Sequence, residues 1–255
     1  MRSTFSLTLL LLLLAFIFSS CRSSSSLTTD SITFSASPLS AEEFASLVPD
    51  YNELLHTIQG DGRAIVSEPG NSDRVSVRFF SNRDESLIFV RNSAGIEGGQ
   101  IYLDTDSLTI LNRVDRIAEK VPLNRSDRSS IGSLASLNML QLFNYPVQGD
   151  EISRVYENDD YFQAITHNGS QIIISRRNGT VISVVHTNDS LKAPYSSIAF
   201  DGYSLHDSFL LPGRITLTGK DGNSRVTLIV RRLEVNSDLP DLELTVPEHI
   251  PILRL

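Results

Sequence analysis

Cysteine is almost missing from this chain. Among 255 residues there is one, Cys21, so no intrachain disulfide can form and the fold must rest on a hydrophobic core. Tryptophan is absent, and 12 phenylalanines within a 40% apolar composition supply the bulk of that core. Positive charge is also scarce. Twenty-two Lys and Arg against 30 Asp and Glu leave a formal charge of −8, with no basic cluster. That excludes the positive footprint nucleic-acid binding needs and argues against electrostatic docking on an anionic bilayer. Beyond the first 18 residues no apolar run approaches the ~18 needed to span a membrane as a helix. The motifs of chemistry are missing too. There is no Gly-x-Ser-x-Gly elbow, no His-Glu-x-x-His, no Gly-x-x-x-x-Gly-Lys phosphate loop and no cysteine-based metal site. His56, His167, His186, His206 and His249 are scattered singly. Asp104-Thr105-Asp106 and Asp159-Asp160 read as acidic turns rather than as ligand sets. The expectation is a non-enzymatic protein with no cofactor and no metal.

What is present begins at the N-terminus. Met1-Arg2 gives a positive start, and Leu7 to Phe18 form an apolar segment with six consecutive leucines, Leu9 to Leu14. Twelve residues at ~1.5 Å each reach about 18 Å, too short for a ~30 Å hydrocarbon layer. Charge, short apolar segment and small boundary residues describe a secretory signal. Phe18-Ser19-Ser20-Cys21 resembles the lipobox of a bacterial lipoprotein signal, although leucine is usual where Phe18 stands. The resemblance implies cleavage between Ser20 and Cys21 and acylation of Cys21. Two or more acyl chains would then give stable anchoring. An ordinary signal peptide with an incidental cysteine, or a short amphipathic anchor, stays open as an alternative. Arg22, in place of aspartate, favours the outer membrane by resemblance to known sorting rules.

Residues 1–20 are thus read as signal, 21–39 as a lipidated cysteine with a Ser/Thr-rich tether, and 40–255 as one domain. Arg22 to Ser26 and Thr28 to Asp30 are too polar to bury a face. Ser40-Ala41-Glu42-Glu43 has the capping-box spacing, and Phe44, Leu47 and Val48 give the following helix its apolar stripe; Tyr51, Leu54 and Leu55 could extend it past Pro49. From Thr57 the pattern turns to strands. Arg74 to Phe79 alternates cleanly, and Glu68-Pro69-Gly70-Asn71 joins it to Arg63–Ser67. Asn168-Gly169 and Asn178-Gly179 sit between apolar runs, and Lys220-Asp221-Gly222-Asn223 does the same further on. These are hairpin signals. Ten or eleven strands, mostly antiparallel, are expected because the connections are too short for crossovers.

Residues 129–144 (SSIGSLASLNMLQLFN) break the strand pattern. Placed at ~100° per residue, Leu134, Leu137, Met139, Leu140, Leu142 and Phe143 point in nearly every direction, so a helix here is buried on more than one side. It is either a plug packed on the sheet or a lid over an apolar cavity.

Several stretches carry a family resemblance in combination: Ile101-Tyr102-Leu103, Leu108 to Asp115, the helix to Pro146 and Gly149, Phe209 to Ile215, and Leu239 to Pro247. With them the chain resembles the LolA/LolB-like lipoprotein carriers, and more closely an outer-membrane lipoprotein family catalogued as a domain of unknown function. The resemblance implies a mainly β (α+β) fold. Its core is a curved antiparallel half-barrel with an N-terminal helix and an internal apolar helix as lid or plug. It also implies an apolar cavity that takes acyl chains. A protruding loop with an exposed leucine, a feature of the outer-membrane carrier, is not identifiable.

The leading expectation is a protein anchored by acylated Cys21 that binds a lipid or lipoprotein acyl chain at the periplasmic face of the outer membrane. Its partners would then be the membrane and that chain, with no nucleic acid. The alternative is a non-enzymatic assembly module of an envelope complex whose core is fully packed.

Overall fold

The computed structural model describes residues 33–124, 130–187 and 193–254. Cys21 and Ser20 lie outside them. Fifteen of the described strands form one open sheet. Numbered in chain order, its members from one edge to the other begin with β1 (Ser35–Ala36), β8 (Ile152–Glu157), β9 (Tyr161–Thr166), β10 (Gln171–Ser175) and β11 (Val181–Val185). The centre is β12 (Tyr195–Asp201), β15 (Arg214–Gly219), β16 (Arg225–Val235), β2 (Ile58–Glu68) and β3 (Asn71–Ser81). The far wing is β4 (Ser86–Arg91), β5 (Glu97–Leu103), β6 (Ser107–Asn112), β7 (Ile117–Pro122) and β17 (Ile252–Arg254). A small separate hairpin joins β13 (Ser204–His206) to β14 (Phe209–Leu211). Every pairing in the large sheet is antiparallel except β17 on β7. The expected curved, mainly β half-barrel is the fold found, with more strands than the sequence pattern marks.

Local chemistry explains the connections. The β9–β10, β10–β11 and β15–β16 turns each place a glycine at positive φ, at Gly169, Gly179 and Gly222. Gly179 has a second role. A Cβ there would collide with the carbonyl oxygen of Leu47, so its absence lets the N-terminal helix dock on this turn. Register shifts interrupt the ladder in both wings and in the centre. The register of β16 on β2 shifts between Val230 and Arg232, opposite Gly62, where a Cβ would meet the Ile229 carbonyl. A bulge beside a strand glycine bends and twists a sheet locally.

The N-terminal helix α1 (Ala41–Leu47) has the expected capping box. Ser40 Oγ accepts from the Glu43 amide at 3.2 Å and Glu43 Oε2 accepts from the Ser40 amide at 2.8 Å. It ends at Leu47, earlier than the pattern through Leu55 suggested, and Phe44 is fully buried. Ser35–Ala36 pairs with Tyr156–Glu157, so ordered structure starts ahead of residue 40. On the outer face of the far wing, Leu244, Val246 and Ile250 of the C-terminal strap pack on Leu111 and Ala118.

Residues 130–144 do not form one helix. Two short helices stand there, α2 (Ser130–Ala135) and α3 (Met139–Phe143), parted at Asn138. The reason is local. Asn138 is the N-cap of α3, with extended backbone (φ −67°, ψ 128°), and a residue spent as a cap cannot continue the preceding helix.

Candidate functional site

The inner face of the half-barrel is defined by register. Directly paired residues share a face, so β3 to β6 align Phe79, Ile88, Ile101 and Ile110 in one row across four strands. The next row holds Val77 and Val90. The other wing continues the same face with Ala164, Ile172, Val184, Ile198, Leu217 and Val226. The helices cover this face unevenly. α1 packs over β8 and β9, while α2 lies on β12, β15 and β16, and α3 sits against β3. Under that cover Ala164, Ile174, Ile198 and Ile215 are buried. On β3 and the far wing Val75, Ile88, Val90, Ile101, Ile110 and Ile117 are only half-buried. The result is an apolar strip open at its side, about three inter-strand spacings (~14 Å) from Phe79 to Ile110.

Leu134, Met139, Leu140, Leu142 and Phe143 are all buried, and Leu137 is half-buried. Phe143 stacks on Phe79 with ring centroids 5.7 Å apart, which places it at the inner end of the strip. The lid is closed tightly. Beneath it the space lined by Tyr51, Phe143, Tyr145, Val181, Phe200, Tyr203 and Leu210 measures about 20 Å³. That is room for about one water, against the ~300 Å³ or more of an ordinary ligand pocket.

A polar cluster fixes α3 in place. The first amide donors of a helix lack intrahelical partners, and here three of them are met by side chains. Met139 N donates to Ser86 Oγ at 3.0 Å, Leu140 N to Ser81 Oγ at 3.2 Å and Gln141 N to Asn138 Oδ1 at 3.2 Å. Ser81 and Ser86 are themselves hydrogen-bonded at 2.7 Å, and Asn138 Nδ2 donates to the Asn82 carbonyl at 3.0 Å. All three polar side chains are buried. The other end of α3 is held by Asn144, whose Nδ2 donates to Asn52 Oδ1 at 3.0 Å. A five-residue helix has no stability of its own; the β3–β4 turn holds this one.

Tyr51, Tyr145 and Tyr203 line the space beneath the lid. Tyr203 Oη donates to the Val181 carbonyl at 2.6 Å and Tyr51 Oη accepts from the Leu210 amide at 3.1 Å. Tyr145 and Tyr195 pair through their hydroxyls, and burial pushes both, and Tyr203, above the ordinary phenol value. They stay neutral and serve as hydrogen-bonding rims to an apolar interior. Away from this region, His186 packs against Tyr195 with Nδ1 3.0 Å from Ser170 Oγ. Its Nε2 is buried without a hydrogen-bond partner among the described residues. Asp104 accepts from the Asp106 and Ser107 amides, which makes it a turn former. Among the described residues no three His, Cys, Asp or Glu side chains are grouped to hold a metal.

The sequence pointed to the apolar residues of α3 but not to the Ser81–Ser86–Asn138 cluster or the Ile88–Ile101–Ile110 row. Strand alternation could have put each isoleucine on an inner face; their alignment needed the register.

No sequence-family model and no curated protein matches the chain. Solved structures do. A DUF1329 family protein from Desulfovibrio piger superposes with a TM-score of 0.51 at 11% identity, over 79% of this chain and 92% of that one. A domain described as an outer membrane lipoprotein-sorting protein, from Vibrio parahaemolyticus, gives the same values. A LolA superfamily protein from Nitrosomonas europaea also reaches 0.51 at 11% identity, over 80% of this chain and 96% of that one. At such identity the likeness is one of fold: the chain has the LolA-like half-barrel.

Proposed function

We propose that this protein binds the acyl chain of a lipid or lipoprotein on the inner face of its half-barrel, without enzymatic chemistry. It would act at the periplasmic face of the outer membrane and be held there by acylated Cys21. The observation that carries the reading is the half-buried row Ile88, Ile101 and Ile110 beside a closed lid. A concave sheet face of this kind is apolar surface that its own helices do not finish covering. Each methylene laid on it gains ~0.8 kcal/mol. The signal-like N-terminus and the lipoprotein-sorting description of one structural neighbour support the location and the cargo class.

Binding beneath the lid requires α3 to move, since its Phe143 lines the space of about 20 Å³ there, which holds no chain. Six- and five-residue helices are kept by tertiary packing alone, so a ligand that replaces their apolar contacts can displace them. Uptake of a fluorescent fatty-acyl probe tests the reading. Wild type should bind it saturably, and Ile101→Asp should not while keeping its far-ultraviolet dichroism. Absence of uptake by folded wild type would sink the proposal.

One observation favours a second reading, an assembly module of an envelope complex: the filled core under the lid. It expects a stoichiometric protein partner on pull-down from the host and no co-purifying lipid.

A further inference from the structure

The outer face of the sheet gathers positive charge that no run of the sequence shows. Ser76, midway along β3, pairs with Arg63 of β2 on one side and Arg91 of β4 on the other. Arg74 and Arg78 stand two residues before and after it on the same strand, and therefore on the same face. Paired positions are ~5 Å apart and alternate ones ~7 Å, so four arginines surround one serine in a patch of about 10 by 14 Å. All four are exposed. Their face is opposite to that of Val77 and Phe79, and three strands further on it carries Leu111 beneath the C-terminal strap.

Three arginines outside the patch have acidic partners. Arg113 meets Glu97 at 2.6 Å, Arg176 meets Glu157 at 3.6 Å and Arg214 meets Asp201 at 3.3 Å. Arg63, Arg74, Arg78 and Arg91 make no ion pair or hydrogen bond among the described residues, and neither does the Ser76 hydroxyl. Glu97 follows Arg91 in the ladder but is taken by Arg113. Asp61, opposite Arg78, is the single acid among the β2–β4 positions of the patch. Four positive charges thus stand against one negative, in a chain whose formal charge is −8. Such a concentration repels itself and focuses a field outward. Nothing within the described fold uses it, which points to an anion from outside.

We propose that this diamond of arginines binds a polyvalent phosphate group over the Ser76 hydroxyl. The site is independent of acyl binding, which uses the opposite face. Arginine geometry selects the ligand. A planar guanidinium donates two parallel N–H bonds to phosphate oxygens, and a tetrahedral group can take such bonds from several sides at once. A carboxylate has two oxygens in one plane and matches a single fork. The acidic side chains of an extended peptide, ~7 Å apart on one face, would each have to be pinned separately. Lysine, a point charge without the fork, is absent from the patch. The ligand class is therefore a di- or triphosphate, either free or carried as a lipid headgroup, since both present the same oxygens.

Calorimetric titration of the full chain with inorganic tripolyphosphate at low ionic strength tests the site. Wild type should bind one equivalent, and added salt should weaken binding because the arginines are exposed. Arg63→Gln combined with Arg91→Gln should weaken it about tenfold or more, and lysine at both positions should restore only part of the loss. Arg154→Gln combined with Arg177→Gln removes the same charge from the other wing and should leave affinity within about twofold. Phosphatidylcholine vesicles with and without phosphatidylinositol bisphosphate separate the two sources. Co-sedimentation that needs the bisphosphate lipid and the same arginines assigns a headgroup; tripolyphosphate binding without it assigns a free phosphate, and the site stands in either case. No binding by folded wild type, or equal weakening in the two double variants, would overturn the proposal. Polyglutamate bound as tightly as tripolyphosphate would overturn it in favour of an acidic protein partner. Thermal unfolding confirms that each variant is folded when assayed.

Discussion

Replacing Asn138 by alanine isolates the contact that keeps the lid shut. The side chain does two jobs at 8% exposure. Its Oδ1 caps α3 through the Gln141 amide, and its Nδ2 satisfies the Asn82 carbonyl in the β3–β4 turn. Losing the cap costs about 1 kcal/mol. The half-buried Asn82 carbonyl keeps Ser81 Oγ as a second donor, so losing the Asn138 amide there costs a further ~0.5–1.5 kcal/mol. The sum is about 1.5–2.5 kcal/mol, and it falls on one five-residue helix. Ser40→Ala is the internal control, because Ser40 caps α1 through a capping box at an exposed site, worth ~1 kcal/mol. Urea unfolding at constant m-value measures both, and hydrogen exchange at the Met139–Phe143 amides shows where the loss is felt. Asn138→Ala should lower stability at least about 0.5 kcal/mol more than Ser40→Ala. It should also raise exchange in α3 while the β9–β12 amides keep their protection. If the two variants cost the same, or if exchange rises uniformly, the turn does not hold the lid.

Three further outcomes follow from particular residues. Gly179→Ala forces a side chain into positive φ (70°) and against the Leu47 carbonyl; a loss of about 1–3 kcal/mol is expected by denaturation, and a neutral result would mean that α1 is not seated on this turn. Burial, and secondarily the charge of Lys220, hold His186 below the ordinary histidine value. Its contribution to stability is therefore complete above about pH 6.5 and declines as pH falls below it, because the unfolded state takes up the proton first. Thermal stability of wild type should drop over that window more steeply than that of His186→Gln, and parallel curves would contradict the assignment. Cys21→Ser should abolish acyl labelling and release the protein from the membrane fraction; unchanged fractionation would refute the anchor.

Much of the architecture is visible in the sequence where a rule acts over a few residues. The capping box at Ser40 and Glu43, the Asn-Gly hairpins at 168–169 and 178–179 and the turn at Gly222 all stand where their spacing places them. Short or irregular strands are less visible. β1 has two residues, β13, β14 and β17 have three each, and such lengths carry no period. The break in the lid has a physical reason too. Hydrophobic placement treats 129–144 as one helix, but Asn138 is recruited by Asn82 from a turn more than 50 residues away, and that contact decides the local structure. The apolar strip is hidden for the same cause. Alternation shows that Ile88, Ile101 and Ile110 each face one side of a strand, while only pairing makes them neighbours.

The central claim is that the half-buried row Ile88, Ile101 and Ile110 of the inner face is a seat for an acyl chain. Its most direct measurement is a titration of wild type and Ile101→Asp with a fluorescent fatty-acyl probe. Saturable binding at one chain per protein, lost in the variant, is the expected result. No binding to folded wild type, or equal binding to both proteins, would contradict it.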